Sequence, residues 1–335
     1  MGIKGLKALI KRYAPHAMVS IDAKSLKGKK IAIDSSILLY KFRYLINTDN
    51  FHILGFLNKV IEFLDLGIVP VFVFDGKPPD AKKETLDKRV NNRKEMSERL
   101  KVLQRELKEL NEPEDEYFIS SDNEVNEVNE ETENVRVQKI KSEIKKLKKN
   151  NLYIYKKHST DVMELLDSIG MPYFHRSEGE AEEMCAFLQK NGYVDYILSE
   201  DTDTLTFGGN NVLFTNKNGY TLCRLDTILE TLNLSYASFI DMCILCGCDY
   251  TSTIPKVGPI TALKMIKEHV SIDAFPLNTE RCDYQLARSI FTKNELFEKP
   301  ELDFTIGKME NVEAVKEILT KNNIFSFELN KLIRI

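Results

Sequence analysis

Three short apolar runs, each followed by aspartate, constrain the fold of this chain more than any other feature. The runs and their acids are residues 31–33 before Asp34, residues 69–74 before Asp75, and residues 196–198 before Asp201 and Asp203. Short runs rich in β-branched and aromatic residues are typical of strands buried on both faces. Amphipathic helical patterns separate these runs. The sequence therefore predicts an α/β fold, with a mainly parallel central sheet flanked by helices.

The aspartates occupy the positions where such strands end. In an open parallel sheet the carboxyl ends of the strands meet at one edge, where ligands bind. We therefore expect Asp34, Asp75, Asp201 and Asp203 to converge in one crevice. Crowded carboxylates repel one another and raise each other's pKa, so a cluster of this kind suits hard cations such as Mg²⁺ or Mn²⁺.

A further pair of acids lies in Ser177-Glu-Gly-Glu180, which opens a helical pattern over residues 178–190. Ser-x-x-Glu is also the pattern of a capping box, which would fix the start of the helix without any chemistry. The additional acid Glu178 and the small Gly179, which lets another group approach closely, favour a functional role. Both interpretations remain open at the level of these four residues.

One more acid, Asp249, ends an apolar helical pattern, and a turn followed by a second helix at residues 260–269 comes next. Two helices joined by a short turn with Gly258-Pro resemble the helix-turn-helix elements that bind a DNA backbone. We assign this element to residues 236–270. An ordinary helical hairpin is the alternative.

Charge is strongly segregated along the chain. The 335 residues include 47 basic and 51 acidic ones, a net charge of −4. Ten of the acids, and no base, lie within residues 111–134. Low hydrophobicity and high charge make disorder the expectation for that stretch. The remainder carries a net positive charge, so the overall acidity does not argue against a nucleic-acid partner.

Basic residues are dense on both sides of the acidic stretch. Residues 77–108 and 136–157 contain many more bases than acids and have helical patterns. Residues 77–157 are thus predicted to form two basic helices joined by a polar loop. Solvated helix faces are the alternative, but this charge density fits a surface that follows phosphates, with Lys145, Lys146 and Lys149 as candidate DNA contacts.

The N-terminal segment is also basic. Its apolar residues, including Leu6, Leu9 and Ile10, follow the spacing of an amphipathic helix, which leaves Lys4 and Lys7 on a different face. That face is either solvated or in contact with phosphate.

Five collinear motifs give the chain a resemblance to a known family. They are Gly2-Ile-Lys-Gly-Leu6, Val73-Phe-Asp-Gly-Lys-Pro-Pro79, Glu178-Gly-Glu-Ala-Glu-Glu-Met-Cys185, Ser199-Glu-Asp-Thr-Asp-Thr-Leu-Thr-Phe-Gly208 and Leu245-Cys-Gly-Cys-Asp-Tyr250. In this order they resemble the flap endonucleases, which belong with the XPG-type 5′ nucleases. The resemblance implies a PIN-like 5′-nuclease fold over residues 1–270, with a helical arch at residues 77–157. Residues 271–335 would form a C-terminal helical extension packed on the same domain.

The resemblance also implies roles for individual residues. Two Mg²⁺ ions, replaceable by Mn²⁺, would be held by Asp34, Asp75, Glu178 and Glu180 at one position and by Asp201, Asp203 and Asp249 at the other. Lys82 and Arg89 match a catalytic lysine and arginine, which would offset charge on the phosphate. The implied DNA contacts are Gly2, Lys4 and Lys7 near the junction, Tyr40 stacked on the base next to the cut, and Thr253, Lys256 and Gly258 on duplex phosphate, in relatives with a K⁺ ion.

The activity implied by the resemblance is removal of 5′ flaps from branched DNA by two-metal phosphodiester hydrolysis, with 5′→3′ exonuclease activity, in DNA replication, repair or recombination. One alternative is a junction-resolving or exonuclease member of the same family. Others are a non-catalytic binder of branched DNA and an RNA-directed nuclease of related fold. We expect an intracellular monomer, in the nucleus by family resemblance or else in the cytoplasm, with no membrane span.

The sequence departs from the family pattern in three places. Lys256 stands where relatives usually have glycine, which bears directly on the K⁺ ion. The acidic stretch lengthens the arch region beyond that of typical flap endonucleases. The end of the chain, residues 330–335, contains no clear sliding-clamp peptide, so docking to a clamp is not expected.

Neutralising Lys145, Lys146, Lys148 and Lys149 together should weaken the salt dependence of DNA binding. Each lost phosphate contact removes roughly 0.9 from the slope of log affinity against log salt on B-DNA, and roughly 0.7 on a single strand. Fluorescence anisotropy across a salt series measures this slope. An unchanged slope would mean that these lysines are only solvated.

Overall fold

The structure, a computed structural model, describes residues 2–110, 126–275, 282–293, 304, 306 and 312–324, and the backbone alone over 126–133. The strands are β1 (Met18–Ile21), β2 (Lys30–Asp34), β3 (Val69–Phe74), β4 (Tyr173–His175), β5 (Tyr196–Leu198), β6 (Asn211–Asn216) and β7 (Gly219–Arg224). The helices are α1 (Leu6–Tyr13), α2 (Ser35–Leu45), α3 (Phe51–Asp65), α4 (Lys83–Glu109), α5 (Asn126–Asn150), α6 (Lys156–Ser168), α7 (Ala181–Lys190), α8 (Asp203–Thr206), α9 (Leu225–Leu232), α10 (Tyr236–Cys246), α11 (Pro259–His269), α12 (Tyr284–Thr292) and α13 (Val312–Lys321).

One seven-stranded sheet forms the centre of the fold, in the order β1-β7-β6-β5-β2-β3-β4. The five strands from β6 to β4 are parallel, while β7 and β1 add an antiparallel edge. Within β2, Ile31 and Ile33 pack into one core and Ala32 into another. Because successive side chains of a strand point to opposite faces, the sheet separates two hydrophobic cores. The α/β fold with a mainly parallel sheet is confirmed.

The register of the parallel strands brings their carboxyl ends level. Asp34 of β2 pairs with Val73 of β3, and Ile33 pairs with Leu198 of β5. The segments that follow these strands, which carry the predicted acids, therefore leave the sheet at the same edge.

The predicted helix at residues 178–190 begins later than expected. Its first helical residue is Ala181, and the side chain of Glu180, at the N-cap, makes no capping bond. Residues 177–179 instead run beside residues 76–77, where Lys77 N–H donates to Ser177 O (2.8 Å) and Gly179 N–H donates to Lys77 O (3.0 Å). The capping-box interpretation is therefore wrong, because backbone pairing with a distant segment holds this turn.

The chain divides into two compact units, Met1–Lys83 with Ile154–Ile335, and Glu84–Tyr153. The second contains nearly all of α4 and all of α5. These two helices share a small core of Leu103, Ile140 and Ile144. Ion pairs flank this core: Arg99 Nε to Glu143 Oε1 (3.1 Å) and Arg136 Nη2 to Glu106 Oε1 (2.6 Å).

Much of the acidic stretch, and residues 330–335, where no clamp peptide is expected, lie outside the described residues. The last part of the acidic stretch belongs to α5, which begins at Asn126. Among the described residues no single helix is long and apolar enough to cross a membrane, and α9 with α10 meets that test only as a pair bent by 90°.

Leu103→Ala should loosen the pairing of α4 with α5. Leu103 is 1% exposed, and a buried Leu→Ala change typically costs roughly 2–5 kcal/mol. Circular dichroism at 222 nm should show an earlier loss of helix on heating. The matched control is Val102→Ala, because its neighbour Val102 is 49% exposed. Equal melting curves for the two variants would contradict a structural role for this core.

Candidate active site

Ser199 connects the ends of two parallel strands through its hydroxyl. Its Oγ donates to Asp34 Oδ2 (2.9 Å) and accepts from the backbone N–H of Asp201 (3.0 Å). Asp34 is 1% exposed and Asp201 4% exposed. These contacts fix two of the predicted acids side by side below the surface. The role of Ser199 was not predicted, since only its place in a motif was visible in the sequence.

Asp203 is buried next to Asp201. Its backbone N–H donates to Asp201 Oδ1 (3.0 Å), and the segment turns there into the short helix α8. The carboxylate oxygen Asp203 Oδ1 is buried without a hydrogen-bond partner. A buried carboxyl oxygen without a partner is costly unless a cation or a donor compensates it.

Asp75 and Glu178 lie at the more exposed side of the cluster. Asp75 Oδ1 accepts from the backbone N–H of Ala181 (2.7 Å) and so caps the start of α7. The backbone pairing of residues 76–77 with residues 177–179 keeps Glu178 beside the strand end that carries Asp75.

Lys82 connects the remaining acids. Its ammonium donates to Glu180 Oε1, and it lies 3.5 Å from Asp249 Oδ2. The hydroxyl of Tyr250 donates to the other oxygen of Glu180. Lys82, Glu180 and Tyr250 are all buried. Tyr250 was not predicted as part of the site, because its contact with Glu180 spans 70 residues of sequence.

The proximity of these groups shifts their pKa values. Burial raises the pKa of Asp34 to about 8, and the neighbouring Asp75 and Asp201 carboxylates add to the shift. Burial, followed by the Asp201 and Asp249 carboxylates, holds the pKa of Asp203 well above its usual value. Burial alone would lower the pKa of Lys82, but Glu180, Glu182 and Asp249 raise it above its usual value. Each shift shows that acids from separate segments share one low-dielectric volume.

Glu182 is an acid of this cluster that the sequence reasoning did not assign. Burial, and then the Asp34, Asp75 and Glu180 carboxylates, hold its pKa well above the usual value. The only signal in the sequence was its place in the run Glu178-Gly-Glu-Ala-Glu182. The structure is needed to show that the first turn of α7 brings this side chain to the same acids.

The donor set fits a divalent cation, since the unpartnered Asp203 Oδ1 and its neighbours are hard carboxylate oxygens. Among the described residues no group of three or more His, Cys, Asp or Glu side chains is arranged to hold a metal ion. Several of the oxygens are bound instead by protein donors, namely Lys82 on Glu180 and the Ala181 N–H on Asp75. Lys82 therefore occupies carboxylate oxygens that a cation could also bind.

Comparison with known proteins decides the family. Models of the XPG N-terminal domain and the XPG I-region match residues 1–96 and 170–249. Flap endonuclease 1-A of Sorghum bicolor is 34% identical over 353 residues, covering 97% of this chain and 83% of that protein. Flap endonuclease 1 of Glycine max is 33% identical over 360 residues, covering 99% and 86%. The chain belongs to the flap endonuclease family.

Solved structures agree with this family at the level of the fold. Flap endonuclease-1 from Methanococcus jannaschii matches with a TM-score of 0.67 at 21% identity, covering 97% of both chains. The catalytic core of Rad2 in complex with DNA substrate matches with a TM-score of 0.65 at 20% identity, covering 99% of both chains. The predicted 5′-nuclease fold and the predicted class, a structure-specific nuclease that hydrolyses phosphodiesters, are confirmed.

In this flap endonuclease the N-terminal segment reaches the carboxylates directly. Gly2 has φ +84°, and a Cβ built on it would lie 1.8 Å from Asp201 Oδ1 and 2.7 Å from Thr202 Oγ1. Only glycine fits this position. The Lys4 N–H donates to Gly247 O (3.0 Å), which attaches the segment to the end of α10.

Among the residues predicted to contact DNA near the junction, Tyr40 and Lys4 are exposed at the surface. Tyr40, on α2, is 40% exposed. Lys7 lies 3.9 Å from Glu200 Oε2, with its ammonium 3.9 Å from the centroid of the Phe214 ring. Their contact with DNA stays a prediction.

Lys256, where relatives usually have glycine, lies in the turn between α10 and α11. Lys256 has φ +65°, a left-handed conformation that glycine adopts most easily. Gly258 is the N-cap of α11 and Pro259 its first residue. Thr253 and Lys256 are exposed, and their contact with duplex phosphate stays a prediction.

Arg89 and the lysines of the predicted arch belong to the other unit. Arg89 lies on α4, and Lys145, Lys146 and Lys149 are exposed on α5. Their roles in catalysis and DNA binding stay predictions.

Asp203→Asn should stabilise the metal-free protein while removing activity. Because the pKa of Asp203 in the folded chain lies well above its usual 3.8, ionisation destabilises the fold as the pH rises above that value. We expect a gain of at least ~1 kcal/mol at pH 8, since one pKa unit corresponds to about 1.4 kcal/mol. Thermal melts in EDTA from pH 5 to pH 8 should show a gap that widens with pH.

The control for this comparison is Asp65→Asn, which changes an exposed aspartate at the end of α3. Its melting temperature should follow the wild type at every pH. A lower melting temperature for Asp203→Asn at pH 8 would contradict the idea that the buried, ionised Asp203 carboxylate destabilises the metal-free fold.

Proposed function

We propose that this chain is a structure-specific DNA endonuclease that removes 5′ flaps by Mg²⁺-dependent hydrolysis. The observation that carries the proposal is the convergence of buried acids from separate strand ends and helices around the Asp34–Ser199–Asp201 link and the Lys82–Glu180 ion pair. Buried acids that raise each other's pKa destabilise a fold, so their presence indicates a function that uses a compensating cation.

Seven acids would hold the two ions: Asp34, Asp75, Glu178, Glu180, Asp201, Asp203 and Asp249. When bound, Mg²⁺, or Mn²⁺ in its place, would lower the pKa of a water and stabilise charge on the phosphate. Water adds to phosphorus and the bond to the 3′ oxygen breaks, which leaves a 5′-phosphate and a 3′-hydroxyl. Lys82 would exchange its carboxylate partners for a phosphoryl oxygen, with Arg89 as the second cation.

The substrate would be branched DNA with a single-stranded 5′ flap, bound by a monomer. The basic helices α4 and α5 would form the arch that receives the flap. Tyr40 would stack on the base next to the cut, and Gly2, Lys4 and Lys7 would approach the junction. The turn from Thr253 through Lys256 to Gly258 would bind duplex phosphate, in company with a K⁺ ion if the left-handed backbone at Lys256 takes the place of the usual glycine.

The same site would support 5′→3′ exonuclease activity, since both reactions break the same type of bond near a 5′ end. Replication, repair and recombination all produce such DNA ends. The corresponding location is inside the cell, in the nucleus where the cell has one.

A cleavage assay tests the proposal. A labelled 5′ flap should be cut near the junction in Mg²⁺ and in Mn²⁺, with a 5′-phosphate on the product, and EDTA should abolish the cut. Asp201→Asn is the control for contaminating nuclease, since Asp201 lies within the cluster. Wild-type activity no greater than that of Asp201→Asn would leave only DNA binding.

Further substrates separate the alternatives within the class. A gapped duplex, a flap with a blocked 5′ end, a four-way junction and an RNA flap should each be cut more slowly than the free 5′ flap. Preference for the four-way junction would indicate a resolvase, preference for the gap an exonuclease, and preference for the RNA flap an RNA-directed enzyme.

A further inference from the structure

Glu180 is bound at both of its oxygens by two different side chains. Lys82 donates to Oε1, and the Tyr250 hydroxyl donates to Oε2. The two donors differ in their alternatives. Lys82 also lies 3.5 Å from Asp249 Oδ2, so its ammonium has a second acid within reach. The Tyr250 hydroxyl has Glu180 as its acceptor among the described residues.

The ring of Tyr250 is held in place by packing. Tyr250 is 3% exposed. Its ring meets those of Phe291 and Phe207 edge-on, with centroids 5.1 Å and 6.4 Å apart. Lys82 Nζ lies 5.9 Å from the centre of the Tyr250 ring. Since a buried tyrosine ring cannot turn its hydroxyl to solvent, the direction of the bond to Glu180 is fixed by the core.

In the proposed reaction Lys82 would change partners when phosphate binds. A lysine that neutralises a phosphoryl oxygen cannot keep both Glu180 and Asp249 at full strength. Once Lys82 moves, Glu180 Oε1 is free for a cation. Without the hydrogen bond from Tyr250, the Glu180 carboxylate would then be free to rotate. It would have to be reoriented during the reaction.

We propose that Tyr250 is a positioning residue that keeps Glu180 oriented toward the cation site when Lys82 transfers to the phosphate. Tyr250 acts through Glu180 and touches neither the phosphate nor the reacting water. The inference rests on the proposed metal-dependent cleavage and extends it by one residue outside the carboxylate set. It also explains why Asp249 and Tyr250 are adjacent, because one dipeptide supplies an acid to the cluster and a support to Glu180.

Tyr250→Phe removes the hydroxyl and keeps the ring. A hydrogen bond to a charged group is worth enough that we expect kcat on a 5′ flap to fall roughly tenfold, with KM nearly unchanged. The affinity for Mn²⁺, measured in the absence of DNA by electron paramagnetic resonance, should fall several-fold. The melting temperature in EDTA should also fall, because the same hydrogen bond is present in the metal-free protein.

Tyr236, the first residue of α10, provides the matched control for Tyr250. The Tyr236 hydroxyl donates to Thr206 O (2.7 Å), which is a backbone carbonyl and not an acid of the cluster. Tyr236→Phe removes a partly buried, hydrogen-bonded tyrosine hydroxyl. It should keep the wild-type kcat and Mn²⁺ affinity even where it lowers the melting temperature.

A double-mutant cycle tests whether Tyr250 acts through Glu180. Adding Tyr250→Phe to Glu180→Gln should leave the Mn²⁺ affinity where Glu180→Gln alone puts it. The inference is overturned if Tyr250→Phe lowers the Mn²⁺ affinity as much in the Glu180→Gln background as it does in the wild type. It is also overturned if Tyr250→Phe has the kcat and Mn²⁺ affinity of the wild type, or if Tyr250→Phe and Tyr236→Phe lose kcat equally. If the wild type fails to cut the flap, the proposed function fails, and the Mn²⁺ affinities alone still decide the role of Tyr250.

Discussion

Burial of several carboxylates in one volume, where they also repel one another, is the constraint on which the rest of this structure depends. Parallel strands that end at one edge of a sheet bring their acids together, and burial removes the water that would screen them. The raised pKa values of Asp34, Asp201 and Asp203 record this conflict. Such a cluster lowers the stability of the metal-free fold at the site of the proposed reaction.

The scaffold limits this conflict with a small number of long-range donors. Ser199 links the ends of β2 and β5, and the Ala181 N–H donates to Asp75. Lys82 and Tyr250 both donate to Glu180. Lys82 contributes a positive charge to the cluster. The same lysine is suited to meet a phosphate, because its attraction to acids and its attraction to phosphate are one electrostatic property applied to two partners.

The unit formed by α4 and α5 is held together by a small apolar core. Leu103, Ile140 and Ile144 give the helical pair a core of its own, and the pairs Arg99–Glu143 and Arg136–Glu106 connect the helices at their surface. Two long, highly charged helices would not pair by charge alone, because exposed ion pairs contribute little. The few buried leucine and isoleucine side chains therefore keep the basic residues of α5 on an ordered surface.

Much of the acid cluster could be predicted from the sequence, because the acids follow apolar strand patterns and parallel strands share one edge. Asp34, Asp201 and Asp203 could be placed in this way, and a family motif singled out Lys82. Tertiary structure alone decided the start of α7, because backbone pairing with residues 76–77 overrides the local capping pattern. It alone also decided the contacts of Ser199 with Asp34, 165 residues away, and of Tyr250 with Glu180, 70 residues away. Local sequence patterns describe neighbours along the chain, whereas these donors reach their acceptors only after the sheet and its helices have packed.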